Sequence, residues 1–233
     1  MRKDIQGLVL TGLGLVIVRL AAGTAYMNYV KSSMRYLLII AGVVLVVLGI
    51  WLIVDAIRAR RRADDAEGQG APKTAWLLFT PLLALLLIAP PPLGAYSAAR
   101  ASTNAVILDQ SMAPIPPGDP APMNLADYVT RAVAYDGKDL TGRTLELPGF
   151  VLPQPDGTWL LARMQIICCA ADGYASKIRP VNVPADAQQM PANTWVTVTG
   201  TYVPDPNADP TVEIPLISIT SIRQVAQPDN PYE

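Results

Sequence analysis

The sequence predicts a membrane protein in two parts, with N-terminal transmembrane helices followed by an all-β domain outside the membrane. Hydrophobic residues make up 51% of the 233 residues and charged residues only 16%, a balance too apolar for an ordinary soluble protein. Charge is also divided, because residues 1–94 contain ten Lys/Arg against five Asp/Glu, and residues 95–233 contain eight against fourteen. Long apolar runs dominate the first part, whereas apolar and polar residues alternate in the second.

Three apolar segments, at about residues 5–26, 36–57 and 75–96, predict three transmembrane helices. A helix needs about 20 apolar residues to cross the hydrocarbon core. The second segment meets this length easily, the first contains the charge of Arg19, and the third reaches it only by extending through the prolines at 90–92. A cleaved signal peptide is the alternative for the first segment. The second span, which follows at once, favours a retained helix.

Basic residues set the predicted orientation of these helices, because cytoplasmic loops are enriched in Lys and Arg. Most basic residues of the first part precede the first segment or lie between the second and third: Arg2, Lys3, Arg58, Arg60, Arg61, Arg62 and Lys73. With three spans both regions lie on one side, which we predict to be the cytoplasm. Residues 1–97 then form a multi-pass module in the lipid bilayer of the plasma membrane, with a cytoplasmic N-terminus and an extracytoplasmic C-terminal domain.

Arg19 is a charge inside an apolar segment, and it has two interpretations. A charge at the centre of the bilayer costs about 2.5–3.5 kcal/mol on insertion scales. Arg19 lies in the outer half of its predicted helix, so its long side chain could extend to the outer headgroups. Alternatively, it contacts a carboxylate of a partner membrane protein.

The chain after the third segment is predicted to form a stalk and then a small β domain. Residues 98–122 are rich in Pro and Ala, which favours an extended stalk. The domain at 123–233 begins with one short helix, for which Asn124 is the predicted N-cap. From residue 140 onwards, about five short alternating runs are separated by turn residues. This pattern predicts a small closed β-barrel of the OB type, with a fragment of a β-sandwich as the alternative.

The two cysteines of the chain are adjacent, at Cys168 and Cys169, and Asp172 follows three residues later. They end an alternating run, so in a regular strand one cysteine would face the core and the other the solvent. The sequence has no histidine, which excludes His-dependent triads and removes the commonest ligand of transition metals. Two cysteines are too few for a disulfide-rich scaffold. The acidic second part argues against nucleic-acid binding.

Four interpretations of the cysteine pair remain open. The side chains could be small, buried and inert. They could bind a soft metal ion such as zinc or copper(I), together with Asp172 and a residue from a partner. They could act in thiol redox chemistry through a vicinal disulfide or thiol exchange, or in a nucleophilic enzyme with a carboxylate as an ill-matched base. Independently, Asp172 and Gly173 fit a turn in which the aspartate caps its own backbone and the glycine takes positive φ.

Several motifs occur together along this chain. They are a segment of prolines and a glycine that ends the membrane module at residues 89–94, a predicted strand at 149–151, Arg163 followed by Cys-Cys-Ala-Ala-Asp at 168–172, and a later predicted strand at 195–200. In this combination the chain resembles the permease-subunit family of YcgQ-like membrane proteins, whose C-terminal domain of unknown function contains a Cys-Cys-x-Ala-Asp motif. The resemblance implies a non-catalytic accessory subunit beside a larger polytopic permease. From the cysteine pair and Asp172, we further predict that the outer domain captures or gates a small solute or metal ion.

Two other functions remain alternatives to this prediction. One is a membrane-anchored thiol-redox protein, and the other is a structural scaffold with inert cysteines. Three spans are too few to form a transport path within one chain. Transport therefore requires the polytopic partner or a homo-oligomer of this chain.

Overall fold

The computed structural model of the protein describes residues 3–62, 91–101, 112–205 and 214–232. The chain divides into two compact units, Met1–Pro91 and Pro92–Glu233. The first unit consists of helices in its described part. The second is built around a β-barrel.

The first unit contains two long helices, α1 (Lys3–Ala22) and α2 (Arg35–Arg62), joined by short 3₁₀ turns. Both are long and apolar enough to cross a membrane. Only 17% of the most apolar window of the first and 11% of that of the second is buried, whereas the core helix of a soluble protein would be mostly buried. Two of the three predicted apolar helices are therefore present. Most of the third predicted span, 75–96, lies outside the described residues.

Glycines allow α1 and α2 to pack closely against each other. A Cβ atom added to Gly14 would lie 2.7 Å from the carbonyl oxygen of Gly42, and one added to Gly7 would lie 2.7 Å from that of Gly49. Gly7, near the start of α1, faces Gly49 in the second half of α2, and Gly14 faces the earlier Gly42. The two helices therefore form an antiparallel hairpin. Small residues that bring backbones together in this way are typical of packed membrane helices.

The second unit is a closed five-stranded barrel, which confirms the predicted small β-barrel. The strands are β1 (Ala121–Pro122), β2 (Thr144–Pro153), β3 (Trp159–Gln165), β4 (Tyr174–Val181), β5 (Trp195–Val203) and β6 (Leu216–Gln224). Around the barrel the order is β2-β3-β4-β6-β5, and pairing between β2 and β5 closes it. The pair β4–β6 is parallel and the other four barrel pairs are antiparallel. The two-residue strand β1 pairs in parallel with Leu145 and Glu146 of β2.

Alternating apolar residues of the strands fill the barrel, and one helix joins the same core. The inward residues include Leu145, Leu161, Ile178, Val198 and Ile217, all fully buried. The apolar face of the helix α4 (Leu125–Ala134) packs against them through Leu125, Tyr128 and Val129. The predicted cap is confirmed, since the Asn124 side chain accepts a hydrogen bond from the Asp127 N–H at 2.7 Å.

A second apolar layer covers the outer face of β2, β3 and β4. It contains a short helix, α3 (Ala95–Arg100), whose Ala95 and Ala98 pack with strand residues. The segment is held by hydrogen bonds from the Leu93 N–H to the Tyr232 hydroxyl at 2.8 Å and from the Ala95 N–H to Asn193 Oδ1 at 2.7 Å. The barrel unit therefore begins at Pro92.

This position of α3 differs from the predicted boundaries. The sequence predicts a transmembrane span up to residue 96 and an extended stalk from residue 98. In the structure Ala95–Arg100 instead forms a helix docked on the barrel, because its alanines fit an apolar surface that the strands leave open. Residues 112–120 of the predicted stalk have no helix or strand, and residues 102–111 lie outside the described part of the chain.

Candidate functional site: the cysteine loop

The cysteines lie in a loop between β3 and β4, which we call the cysteine loop and define as residues 166–173. Ile166 is buried and anchors the start of the loop, whereas Ile167 and Cys168 are exposed and Cys169 is half-buried. The strand ends at Gln165, so the expected alternation of the two cysteines across a strand is wrong. Neither cysteine belongs to the apolar core, which removes the interpretation of the pair as buried hydrophobes.

Asp172 organises this loop by folding back onto it. Its Oδ1 accepts a hydrogen bond from the Ile167 N–H at 2.7 Å. Its Oδ2 accepts from the N–H groups of Cys168 at 2.9 Å and of Cys169 at 3.2 Å. One carboxylate therefore satisfies three consecutive backbone donors, as expected of an aspartate that caps a turn.

The thiols take part in the same network. Cys168 Sγ donates to Asp172 Oδ2 at 2.9 Å. The Cys169 side chain accepts from the backbone N–H of Asp172, at the end of the 3₁₀ turn Ala170–Asp172. The two sulfurs and the carboxylate are gathered so that their ligand atoms all lie within 4.8 Å of one another.

Gly173 ends the loop, although not for the predicted reason. Its φ is −65°, so the expected positive φ is wrong. A side chain is excluded there by crowding, since an added Cβ atom would lie 2.5 Å from Leu93 Cδ1 and 3.2 Å from the Ala170 carbonyl oxygen. The cysteine loop thus packs against the first residues of the barrel unit.

The hydrogen bond between Cys168 and Asp172 moves both ionisation equilibria. Donation to the carboxylate, followed by the bond with Cys169, raises the pKa of the Cys168 thiol from 9.0 to about 11. The same thiol bond, together with the three backbone donors, lowers the pKa of Asp172 from 3.8 to about 2. The carboxylate is therefore ionised above pH 4, and its hold on the loop weakens as the pH falls towards 2. A thiol with this proton affinity is mostly un-ionised at neutral pH and a poor nucleophile.

Replacing Asp172 with asparagine is expected to speed alkylation of Cys168 by iodoacetamide about 10-fold at pH 8. A pKa of about 11 rather than 9.0 lowers the thiolate fraction about 100-fold at this pH. The greater nucleophilicity of the more basic thiolate restores roughly 10-fold of that loss. Mass spectrometry measures the rate with Cys169 in place, using fragment ions that distinguish modification at Cys168 from modification at Cys169.

Asp156→Asn is the matched control for this experiment, because Asp156 is an exposed aspartate that caps a different turn through Thr158. It should leave the alkylation rate of Cys168 unchanged. Equal rates in the parent protein and in Asp172→Asn would show that the thiol does not donate to the carboxylate.

The donor set of the loop suits a soft metal ion. Thiolates favour zinc and copper(I). Cys168, Cys169 and Asp172 form the one cluster of potential metal ligands among the described residues. A structural zinc site usually has four protein ligands, so zinc would need water or a partner residue to complete its coordination.

Two other residues singled out from the sequence lie away from this loop. Arg19 is exposed in the last turn of α1, in the first unit, and its contact with a partner stays a prediction. Arg163, five residues before Cys168, is buried. Its guanidinium lies 4.9 Å from the centre of the Trp195 ring and donates a hydrogen bond to the Asn230 carbonyl. Its role is to pack the barrel against the C-terminal tail.

Sequence reasoning missed one surface residue of the loop. Ile167 is 62% exposed, which makes it one of the most exposed large apolar side chains of the described barrel unit. The only available signal was its position directly before the cysteines. Its exposure places an apolar contact beside the thiols.

Family comparisons match nearly the whole chain. Residues 5–103 match the model of the DUF1980 N-terminal domain, and residues 124–233 match that of the DUF1980 C-terminal domain. The chain carries both DUF1980 domains. The DUF1980 C-terminal match includes the complete barrel and the cysteine loop, and both models describe domains of unknown function. Comparisons with curated proteins and with solved structures found no match. The permease-subunit role therefore stays a prediction.

Proposed function

We propose that this DUF1980 protein is a non-catalytic accessory subunit of a membrane permease, and that it captures a soft metal ion at Cys168, Cys169 and Asp172. The supporting observation is that two free thiols and a carboxylate meet in a surface loop outside the core. Groups placed in this way are accessible to an ion from solvent. Their side chains contribute nothing to packing of the described core, which favours a role in binding.

A non-catalytic role fits the chemistry of the loop. A nucleophilic cysteine needs a base or a positive environment to form its thiolate. Here the nearest titratable partner of Cys168 is an anion that holds its proton in place. Metal binding has no such requirement, because the ion itself displaces the proton.

The membrane part of the proposal rests on the apolar helices and on the basic loops. We place three spans in the plasma membrane and the barrel, which we assign to the OB type, on the outer side by the positive-inside rule. A few helices cannot form an alternating-access path within one chain. The subunit would therefore deliver its ion to a polytopic permease or act within a homo-oligomer.

Cys168→Ser and Cys169→Ser are each expected to abolish the contribution of this protein to metal uptake. Cells that lack the chain would be complemented with the parent gene or a variant, and their zinc and copper contents measured by mass spectrometry over time. The serine variants should behave like the deletion strain, because a neutral hydroxyl is a much weaker ligand than a thiolate.

Ala171→Ser is the matched control, since Ala171 is an exposed residue of the same loop and offers no sulfur. It should restore uptake fully. Full uptake in both cysteine variants would refute the proposal and favour a scaffold with inert cysteines. A reversible Cys168–Cys169 disulfide in the parent cells, with metal contents unchanged by the deletion, would favour the thiol-redox alternative instead.

A further inference from the structure

We infer that the cysteine loop binds its ion through the two sulfurs alone, with Asp172 as a positioning residue, and that its ligand is a soft monovalent cation of the copper(I) class. This inference rests on the proposed function and names its substrate. It changes the role of Asp172 from ligand to organiser of the loop.

The hydrogen bonds of Asp172 commit both of its oxygens to the loop. Oδ2 accepts the N–H groups of Cys168 and Cys169 as well as the Cys168 thiol, although a carboxylate oxygen has only about two lone-pair sites. The two backbone bonds remain after the thiol loses its proton. Oδ1 keeps one site, but this oxygen bonds the N–H of Ile167 and makes no contact with a thiol. Recruiting Asp172 to an ion would therefore cost backbone bonds that shape the loop.

The sulfur atoms alone match the needs of copper(I) better than those of zinc. Two sulfurs bound to one ion lie at most about 4.6 Å apart if each metal–sulfur bond is about 2.3 Å, the length for zinc. The ligand atoms of the loop all lie within 4.8 Å of one another, so both sulfurs are close enough to bind one ion. Zinc usually has four ligands, so with only the two sulfurs of this loop it would need two more from water or a partner. A soft monovalent ion is satisfied by thiolates alone.

The binding step releases two protons. Both S–H bonds break, each proton leaves to solvent, and two metal–sulfur bonds form, with no change in oxidation state. The N–H of Asp172 stays on the Cys169 sulfur and stabilises its thiolate. Because Cys168 and Ile167 are exposed, a thiol of the partner can approach the ion from outside and replace these ligands one at a time. The site is thus suited to passing an ion on.

Anaerobic loading of the full-length chain in detergent micelles tests this inference. Copper(I) is supplied from a chromogenic chelator of known affinity, zinc(II) is offered in competition, and X-ray absorption at the copper edge counts the ligands. We expect one copper(I) per chain, two sulfur neighbours, no oxygen neighbour and no displacement by equimolar zinc(II). Cys168→Ser and Cys169→Ser should each lose the ion, and Ala171→Ser should retain it.

Asp172→Asn separates a positioning residue from a ligand. If Asp172 positions the loop, the variant keeps two sulfur neighbours, and its affinity falls about 10–100-fold, as for other residues that orient ligands. An oxygen neighbour in the parent protein that disappears in Asp172→Asn, or displacement of copper(I) by zinc(II), would overturn the inference and leave ion capture intact. Failure to bind either ion would overturn both the inference and the proposed function.

Discussion

Replacing Tyr128 with alanine is expected to lower the free energy of unfolding of the barrel unit by about 3–5 kcal/mol, the range for removing a large buried aromatic side chain. The Tyr128 side chain is fully buried, and its ring meets Tyr202 edge to face with 6.2 Å between centroids. Its hydroxyl donates to the Leu216 carbonyl at 2.5 Å. Folded domains are stable by only about 5–15 kcal/mol, so the barrel should lose a substantial part of its stability.

Urea unfolding of the full chain in micelles, followed by near-ultraviolet circular dichroism, measures this change. Tyr128→Phe keeps the ring and leaves the Leu216 carbonyl without this donor, so a smaller loss of about 1–3 kcal/mol is expected. Tyr96→Ala is the matched control, because Tyr96 is 73% exposed, and it should unfold as the parent does. An unchanged midpoint for Tyr128→Ala would show that α4 does not belong to the barrel core.

The barrel and its helix were predictable because their patterns are local. The alternation along Trp195–Val203 places every second residue inside the barrel, where this strand pairs with both β2 and β6. The helix at Leu125–Ala134 has an asparagine N-cap, Asn124, and an apolar stripe within its ten residues. Short-range periodicity of this kind determines which face is buried, whatever the surrounding fold.

The boundary of the barrel unit was not predictable because it depends on distant contacts. Leu93 is held by Tyr232, which lies 139 residues further along the chain. Ala95 is held by the side chain of Asn193. A run of alanines, with no periodic apolar stripe, does not indicate that a surface elsewhere will receive it. Composition alone therefore assigned this segment to a membrane span and a stalk.

The clustering of the three candidate residues was predictable and its geometry was not, while their role as a site stays a prediction. Cys168, Cys169 and Asp172 follow from spacing, and so does the turn that Asp172 caps. The exposure of the pair depends on where β3 ends, and strand ends are the least certain part of such a prediction. Which oxygen of Asp172 faces the thiol depends on backbone angles, which the sequence does not reveal.

Gly14→Leu is expected to separate the α1–α2 hairpin and to destabilise its packing by about 1–3 kcal/mol, the usual cost of forcing a side chain into a filled contact. An added Cβ at Gly14 lies 2.7 Å from the Gly42 carbonyl oxygen and 2.9 Å from the Val46 backbone nitrogen. These atoms belong to a helix backbone and cannot rotate away. The helices must therefore move apart along their whole contact, which small residues alone make possible.

Spin labels introduced at Leu8 and Ile50, in a background without the native cysteines, measure this separation by pulsed electron paramagnetic resonance. Both side chains are about half exposed and are next to a contact glycine, so the labels report on the hairpin without entering it. The distance should lengthen and broaden in Gly14→Leu. Gly23→Leu is the matched control, since a Cβ there meets nothing nearer than 3.9 Å. A distance that is the same in Gly14→Leu as in Gly23→Leu would show that the glycine contact does not hold the helices together. Helix packing would then depend on other contacts, such as the hydrogen bond from Arg35 Nε to the Ala21 carbonyl at 3.0 Å.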